Sequence, residues 1–222
     1  MFSNFFSCVC LKLMVYWLNM KKEIKEIYIS VDIESDGPIP GPYSMVSLGA
    51  VVAGYKTSNG EVVKLDTNLP ENRFYGEIKP ISDEWIPEAL AISGFSREYI
   101  ENNGETPEKV MTEFSSFVQK AIIANNAKSA IFAAYPLGFD WLFTYWYLVQ
   151  YSKDGSPFGH SRHIDIKTYY AGKKNELISH SVKARMPKFL KSNKPHTHNA
   201  LDDAEEQGEL LMNIMAWNVS AN

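Results

Sequence analysis

The chain has 222 residues, of which 45% are hydrophobic and 22% charged, a mix that excludes a disordered, collagen-like or coiled-coil chain. Its formal net charge of −4 gives no global sign of nucleic-acid binding, so any basic surface must be local. Cys8 and Cys10 are the only cysteines, which excludes a disulfide scaffold and a cysteine-rich zinc site. A chain of this length favours one domain over two.

The first 20 residues form an apolar segment that Lys12 interrupts. A spanning helix needs about 20 apolar residues, so stable membrane insertion is not expected. Lys21 and Lys22 follow the apolar stretch, which is the reverse of a secretory signal. We interpret residues 1–20 as an extension that is disordered or not native to the domain, with an interfacial helix or a targeting segment as alternatives. The expected location is the cytoplasm.

Strand signals dominate the next part of the chain. Residues 27–33 are a β-branched run of strand length. Residues 46–55 and 61–65 predict a hairpin around a Ser-Asn-Gly turn, and residues 73–78 predict a fourth strand.

Helical signals follow, separated by short strands. Ser82 is the predicted N-cap of a helix over 82–92, and Thr106 that of the next helix. Further elements are predicted in chain order: strand 130–134, helix 139–151, strand 164–166 and helix 201–217. This order predicts an α/β domain with a mixed sheet. The segment after Ala216 is expected to be a frayed tail.

Four carboxylates fall where strands end or helices begin. Asp32 and Glu34 alternate on the first strand and share one face, Asp140 starts a helix, and Asp203 lies on the last helix. Hard carboxylate oxygens gathered in this way suit Mg²⁺ or Mn²⁺ better than zinc. Two such ions about 4 Å apart activate a water and stabilise the leaving oxygen of a phosphodiester.

Taken singly, each of these residues has an ordinary explanation. An Asp-x-Glu pair is common on strands, Asp140 suits a helix cap, and His198 suits an exposed surface. Asp202 and Asp203 would also complement a helix dipole. The order and spacing of the whole set are much more specific than any member.

Three motifs together resemble the DEDDh 3′–5′ exonucleases of the DnaQ-like, RNase T and oligoribonuclease group. They are residues 31–34 (VDIE), 138–143 (GFDWLF) and 198–204 (HNALDDA). The resemblance covers roughly residues 27–217. It implies a ribonuclease H-like fold, an α/β mixed sheet flanked by helices, for one exonuclease domain over residues 21–222.

The resemblance also implies the chemistry of the site. Two divalent ions, Mg²⁺ or Mn²⁺, would be held by four carboxylates: Asp32, Glu34, Asp140 and Asp203, with Asp32 bridging. His198 would be the general base, a role that suits a side chain titrating near neutrality. The spacing gives His196 no role.

Nucleotide contacts follow from the same resemblance. Ser35, Asp36 and Gly37 would lie against the 3′-terminal nucleotide, and Tyr43 would contact a base. Family members often carry a His-Asn pair shortly before the second Asp. Here that stretch reads AYPL, so Tyr135 is expected to stack on a base or ribose instead.

A local basic segment precedes His198. Between Lys167 and His198 the charge sums to +7, with Glu176 as the only acid. We expect this segment to guide a phosphate backbone toward the metals. A solvated loop without a partner is the alternative. The expected backbone contacts are Lys183, Arg185, Lys188 and Lys191.

The predicted function is a metal-dependent 3′–5′ exonuclease that releases nucleoside 5′-monophosphates from single-stranded RNA or DNA 3′ ends. RNA is slightly preferred, by analogy with stand-alone relatives. The alternatives are a proofreading-type DNA exonuclease and a non-catalytic nucleic-acid-binding module. Small relatives of this kind often pair, so a homodimer is expected.

Overall fold

The computed structural model describes residues 23–219, so the apolar segment 1–20 lies outside them. The strands are β1 (Lys25–Ser35), β2 (Met45–Thr57), β3 (Val62–Lys64), β4 (Arg73–Glu77), β5 (Ser129–Ala134) and β6 (His163–Asp165). The helices are α1 (Pro87–Ile92), α2 (Arg97–Asn103), α3 (Pro107–Ala124), α4 (Leu137–Tyr151), α5 (Ile166–Lys174) and α6 (Ala200–Ala216). Within residues 23–219, no helix combines the length and apolar character needed to cross a membrane.

All the strands belong to one mixed sheet, with the order β3-β2-β1-β5-β6 and with β4 also paired to β2. Strand β1 runs antiparallel to β2 and parallel to β5. Strand β1 is therefore central, hydrogen-bonded on both sides, and the predicted mixed α/β sheet is confirmed.

Alternation along β1 separates the two faces of the sheet. Its odd-numbered apolar residues pack in the core with α3 and α4, whereas Tyr28 packs in a second core with α5 and α6. Asp32 and Glu34 have the same parity as Tyr28 and so face α6. The acidic pair therefore projects toward the helix that carries Asp203.

Gly49 allows α6 to lie directly against the sheet. It pairs with Asp32 across β1 and β2. A Cβ at this position would lie 2.2 Å from the carbonyl carbon of Ala200, at the first residue of α6. The missing side chain thus brings the first turn of α6, and with it Asp203, beside the acidic strand.

The predicted helix over 82–92 is wrong in its first half. Helix α1 begins at Pro87, and the Ser82 hydroxyl instead donates to the carbonyl of Pro42, at 2.5 Å, and accepts from the amide of Glu84. A proline fits the first turn of a helix but disfavours helical geometry in the residue before it. The predicted cap at Thr106 is confirmed, since its hydroxyl accepts from the amide of Lys109 at 3.3 Å.

Trp217 corrects the expectation of a frayed tail after Ala216. Its ring stacks on Tyr170 with the centroids 6.2 Å apart and contacts Phe189 edge-on at 6.1 Å. The chain beyond α6 is therefore packed at least as far as Trp217.

Three-residue 3-10 turns occupy the basic segment. They are Ile178–His180, Lys183–Arg185 and Lys188–Leu190, and a fourth such turn, Pro70–Asn72, precedes β4.

Candidate active site

Carboxylates from β1 and α6 meet on one face of the sheet. Asp32, Glu34 and Asp203 each place a carboxylate oxygen within 4.8 Å of the others. Asp140 comes from the first turn of α4, is 4% exposed, and accepts a hydrogen bond from the backbone amide of Ile33 at 3.1 Å. Its charge acts on Asp32. The structure thus brings together the four acids that the motifs single out.

The electrostatics of this cluster favour a bound cation. Burial, followed by the charges of Asp203 and Asp140, raises the pKa of Glu34 to about 8. Burial likewise raises the pKa of Asp140 to about 7. The pKa of Asp32 is well above its usual range because of burial and the three neighbouring acids. Like charges this close cannot all ionise without a counter-charge, and an all-carboxylate donor set fits a hard divalent cation.

Lys183 is a positive charge near this cluster. Its charge lowers the pKa of both Asp32 and Asp140, although burial outweighs that effect in each case. Its ammonium is paired with Glu206 on α6, which limits the compensation that it supplies. Lys183 therefore does not supply enough positive charge for all four carboxylates to ionise together.

The segment before α6 wraps around the Asp203 carboxylate, which is 2% exposed. The backbone amides of Thr197 and His198 donate to its two oxygens, each at 2.9 Å. His198 has φ +58°, and this left-handed turn helps to direct successive amides at one anion. Asn199 then caps α6 by accepting from the amides of Leu201 and Asp202, so the helix starts at Ala200, two residues after His198.

The two histidines of this segment lie side by side. The His198 ring is exposed and meets the His196 ring edge-on, with centroids 4.5 Å apart. His196 Nδ1 lies 3.0 Å from Asp203 Oδ2. The motif spacing gives His196 no role, and that stays a prediction; the contact makes His196 a neighbour of Asp203. The His-x-His pattern of residues 196–198 is the sequence signal that could have indicated this contact.

Gln207 is a site residue that the sequence reasoning missed. Its side-chain amide is 1% exposed and donates to the carbonyl of Val31 at 2.9 Å and to Asp32 Oδ1 at 3.3 Å. Gln207 follows Asp203 by four residues, so both occupy the same face of α6. This spacing of four residues from Asp203 could have indicated Gln207 as a site residue.

The loop after β1 turns its side chains inward. Ser35 donates to the carbonyl of Gly37 at 2.8 Å. Asp36 is fully buried and binds the amide of Ser44 and the guanidinium of Arg97, the latter at 3.1 Å. The Asp36 carboxylate holds the loop to α2, and contact of residues 35–37 with the 3′-terminal nucleotide stays a prediction.

The two candidate tyrosines already have protein contacts. Tyr43 is half-buried and covers Gly37, where a Cβ would come within 2.2 Å of its ring. Tyr135 donates from its hydroxyl to the carbonyl of Ser181 at 2.9 Å, and the Lys183 ammonium lies 4.9 Å from its ring centre. A nucleotide would have to stack on the part of the Tyr135 ring that the Lys183 ammonium does not cover.

Acids of α6 offset two of the seven net positive charges of the basic segment. Lys174 pairs with Glu176, Lys183 with Glu206 and Lys194 with Glu205, while Lys173 donates to two carbonyls at the end of α6. Backbone contact by Lys183 stays a prediction, and a phosphate would compete with Glu206 for its ammonium.

The other basic candidates are more available. Arg185 and Lys188 are exposed, and Lys191 donates to the carbonyl of Ala184 at 3.0 Å. Lys188 and Lys191 line a groove of about 510 Å³ beside Lys64 and the second half of α6.

Comparisons with known proteins show which family this chain belongs to. The family model described as Exonuclease matches residues 32–211. An Escherichia coli protein named 3′-5′ DNA exonuclease Cap18 is 35% identical over 192 residues, which is 84% of this chain and 90% of that protein.

Solved structures share the fold. The nuclease domain of 3′hExo, described as a DEDDh family member bound to rAMP, is 13% identical with a TM-score of 0.58, covering 86% of this chain and 92% of that one. Cell-death related nuclease 4 is 11% identical with a TM-score of 0.53, covering 85% of this chain and 62% of that one.

The fold and these matches define an enzyme of the nuclease class. This chain belongs to the exonuclease family and is a 3′–5′ exonuclease. The resemblance drawn from the three motifs is thereby confirmed for family, fold and enzyme class. The family uses divalent metal, and the four carboxylates are the donors here that fit it.

Proposed function

We propose that the protein shortens single-stranded nucleic acid from its 3′ end and releases nucleoside 5′-monophosphates. The convergence of Asp32, Glu34 and Asp203 within 4.8 Å, with Asp140 beside them, carries this proposal. The cluster has the oxygen donors for two Mg²⁺ or Mn²⁺ ions. When bound, such ions polarise the scissile phosphate and stabilise the negative charge of the leaving 3′-oxygen.

The protein's own groups would position the reactants and move protons. The carboxylates of Asp32, Glu34, Asp140 and Asp203 hold the cations. His198, with its ring exposed beside Asp203, takes a proton from the attacking water through an imidazole nitrogen. The water oxygen bonds to phosphorus, the bond from phosphorus to the 3′-oxygen breaks, and that oxygen acquires a proton. A nucleoside 5′-monophosphate and a strand shortened by one nucleotide result.

We propose DNA as the preferred substrate, because the Escherichia coli relative at 35% identity is named a DNA exonuclease. RNA, which the sequence analogy favoured, is the second candidate. Nucleotide contacts from Ser35, Gly37, Tyr43 and Tyr135 stay predictions, as do the homodimer and the cytoplasmic location.

The test compares DNA and RNA oligonucleotides of matched sequence, labelled at the 5′ end, with Mg²⁺, Mn²⁺ or EDTA. We expect stepwise shortening from the 3′ end, faster on DNA, with release of 5′-monophosphates and no reaction in EDTA. Asp32→Asn should abolish hydrolysis, because an amide is a poor ligand for a hard cation. Asp83→Asn, on an exposed acid outside the cluster, is the matched control. Metal-independent cleavage, or full activity of Asp32→Asn, would overturn the proposal.

A further inference from the structure

A second group of potential metal ligands adjoins the carboxylate cluster. His196, His198 and Asp203 each offer one ligand atom within 4.8 Å of the other two. The closest approach is the 3.0 Å between His196 Nδ1 and Asp203 Oδ2, and the two imidazole rings lie 4.5 Å apart at 67°. One nitrogen from each imidazole and one carboxylate oxygen thus lie in the same small region.

The chemistry of this group differs from that of the carboxylate cluster. Imidazole nitrogens suit zinc and other borderline metals, whereas Mg²⁺ prefers oxygen. Two histidines and one carboxylate make a known zinc donor set that leaves one coordination position open. Both histidines are exposed, so an ion reaches them directly from solvent.

The contact between His196 and Asp203 already has nearly the spacing that a shared ion requires. Ligand bonds of about 2.0–2.1 Å at tetrahedral angles put two donor atoms about 3.3 Å apart. The observed separation is 3.0 Å. A zinc ion bound to both atoms therefore needs only a small movement of the His196 ring.

We propose that His196, His198 and Asp203 form a zinc-binding site that overlaps the catalytic centre, and that zinc bound there inhibits the enzyme. Zinc would occupy the lone pair with which His198 accepts a proton, and it would compete for an Asp203 oxygen. The binding stands on the geometry of the three ligands. The inhibition also rests on the proposed function, because it requires His198 and Asp203 to be catalytic.

The binding test titrates the metal-free, full-length protein with Zn²⁺ by calorimetry and with Co²⁺ as a spectroscopic probe. We expect one tight ion per chain and the visible absorption of four-coordinate Co²⁺. His196→Ala and the milder His196→Gln should each weaken binding by more than the roughly tenfold that loss of an outer-shell partner costs. Glu34→Gln, which alters only the carboxylate cluster, and His160→Ala, at an exposed loop histidine, should keep the site.

Two results would overturn the site. The first is equal zinc affinity in the wild type and in both His196 variants. The second is that Glu34→Gln loses zinc binding while His196→Gln keeps it. The second result would place zinc among the carboxylates.

Inhibition is measured as Mg²⁺-supported hydrolysis at increasing zinc, each variant relative to its own zinc-free rate. The half-inhibiting zinc concentration should rise by about tenfold or more in His196→Gln. An unchanged value would refute inhibition through this site. Zinc bound through His196 in a wild-type protein that hydrolyses no oligonucleotide would instead refute the proposed function and leave the site standing.

Discussion

Gln207 on the last helix donates its side-chain amide to the Asp32 carboxylate at 3.3 Å and to the carbonyl of Val31 at 2.9 Å. The first contact orients the acid that the resemblance places between two metal ions. The second ties α6 to the backbone of β1. A buried side chain with no role in the motifs thus connects β1 and α6, which supply three of the four carboxylates.

Replacing Gln207 with methionine tests this connection. We expect kcat to fall by about tenfold, as for loss of a partner that orients a metal ligand, with KM for an oligonucleotide nearly unchanged. Stability should change little, because Met fills the same volume and removes the Gln207 carbonyl oxygen, which is buried without a hydrogen-bond partner among residues 23–219. Steady-state kinetics and thermal unfolding measure both effects. Gln119→Met, at an exposed position of α3, is the control. Wild-type kcat in Gln207→Met would contradict the role.

The raised pKa values predict how stability depends on pH without metal. In the folded state the pKa of Glu34 is about 8 and that of Asp140 about 7, both above their ordinary values, so the native state binds more protons than the unfolded state. This contribution to stability is full below the ordinary carboxyl pKa and is lost as the pH rises through the folded values.

Chemical unfolding in EDTA should therefore show stability falling between about pH 5 and pH 9, and added Mg²⁺ should stabilise most at the upper end. Glu34→Gln should flatten the EDTA curve. A wild-type curve identical to that of Glu34→Gln would show that this carboxyl has no such shift.

Two variants at His198 separate the loss of its imidazole from the cost of its left-handed backbone. Both His198→Ala and His198→Asn should lose roughly 10²–10⁴-fold in rate, the usual contribution of a positioned base. Asparagine tolerates φ +58° well, whereas alanine adopts it at a cost of roughly 1–2 kcal/mol. Thermal unfolding should therefore show His198→Ala to be less stable than His198→Asn. An active His198→Asn would show that another group takes the proton.

Lys188 and Lys191 remain the clearest candidates for backbone contact, because both line the groove beside α6. The double variant Lys188→Glu with Lys191→Glu should raise KM for an oligonucleotide, weaken its salt dependence and leave kcat largely intact. Lys120→Glu with Lys128→Glu makes the same charge change at exposed positions elsewhere. Equal oligonucleotide KM in the two double variants, at low and at moderate salt, would remove this groove from the substrate path.

The residues of the candidate site were predictable because short motifs carry them. Asp32 and Glu34 alternate on a strand, and His198 and Asp203 flank a helix start, so local geometry determines their relation. Pairing between distant residues was not predictable in this way. Lys183 meets Glu206 and Asp36 meets Arg97 across 23 and 61 positions, and a count of charges cannot show which of them neutralise each other.

The helix over 82–92 failed for a related reason. Ser82 carries the local signature of a cap, but its hydroxyl finds the carbonyl of Pro42, 40 positions earlier. Pro87 was the better local signal for the start of α1.

Because β1 is the central strand, the part of the site on β1 opens less readily than the part on the segment before α6. Asp32 and Glu34 lie on this strand opposite Gly49 and Ser47 of β2, beyond the stretch from Glu26 to Ser30 that also pairs with β5, so their backbone opens only when the pairing of β1 with β2 breaks. His196 and His198 lie on an exposed segment that is held to α6 by contacts with Asp203, Glu205 and Glu209. A local fluctuation of this segment would disconnect the proposed proton acceptor while the carboxylates of β1 stay in place. Hydrogen exchange should accordingly be fast at residues 191–199 and slowest along β1, and activity should be lost on heating before the sheet unfolds.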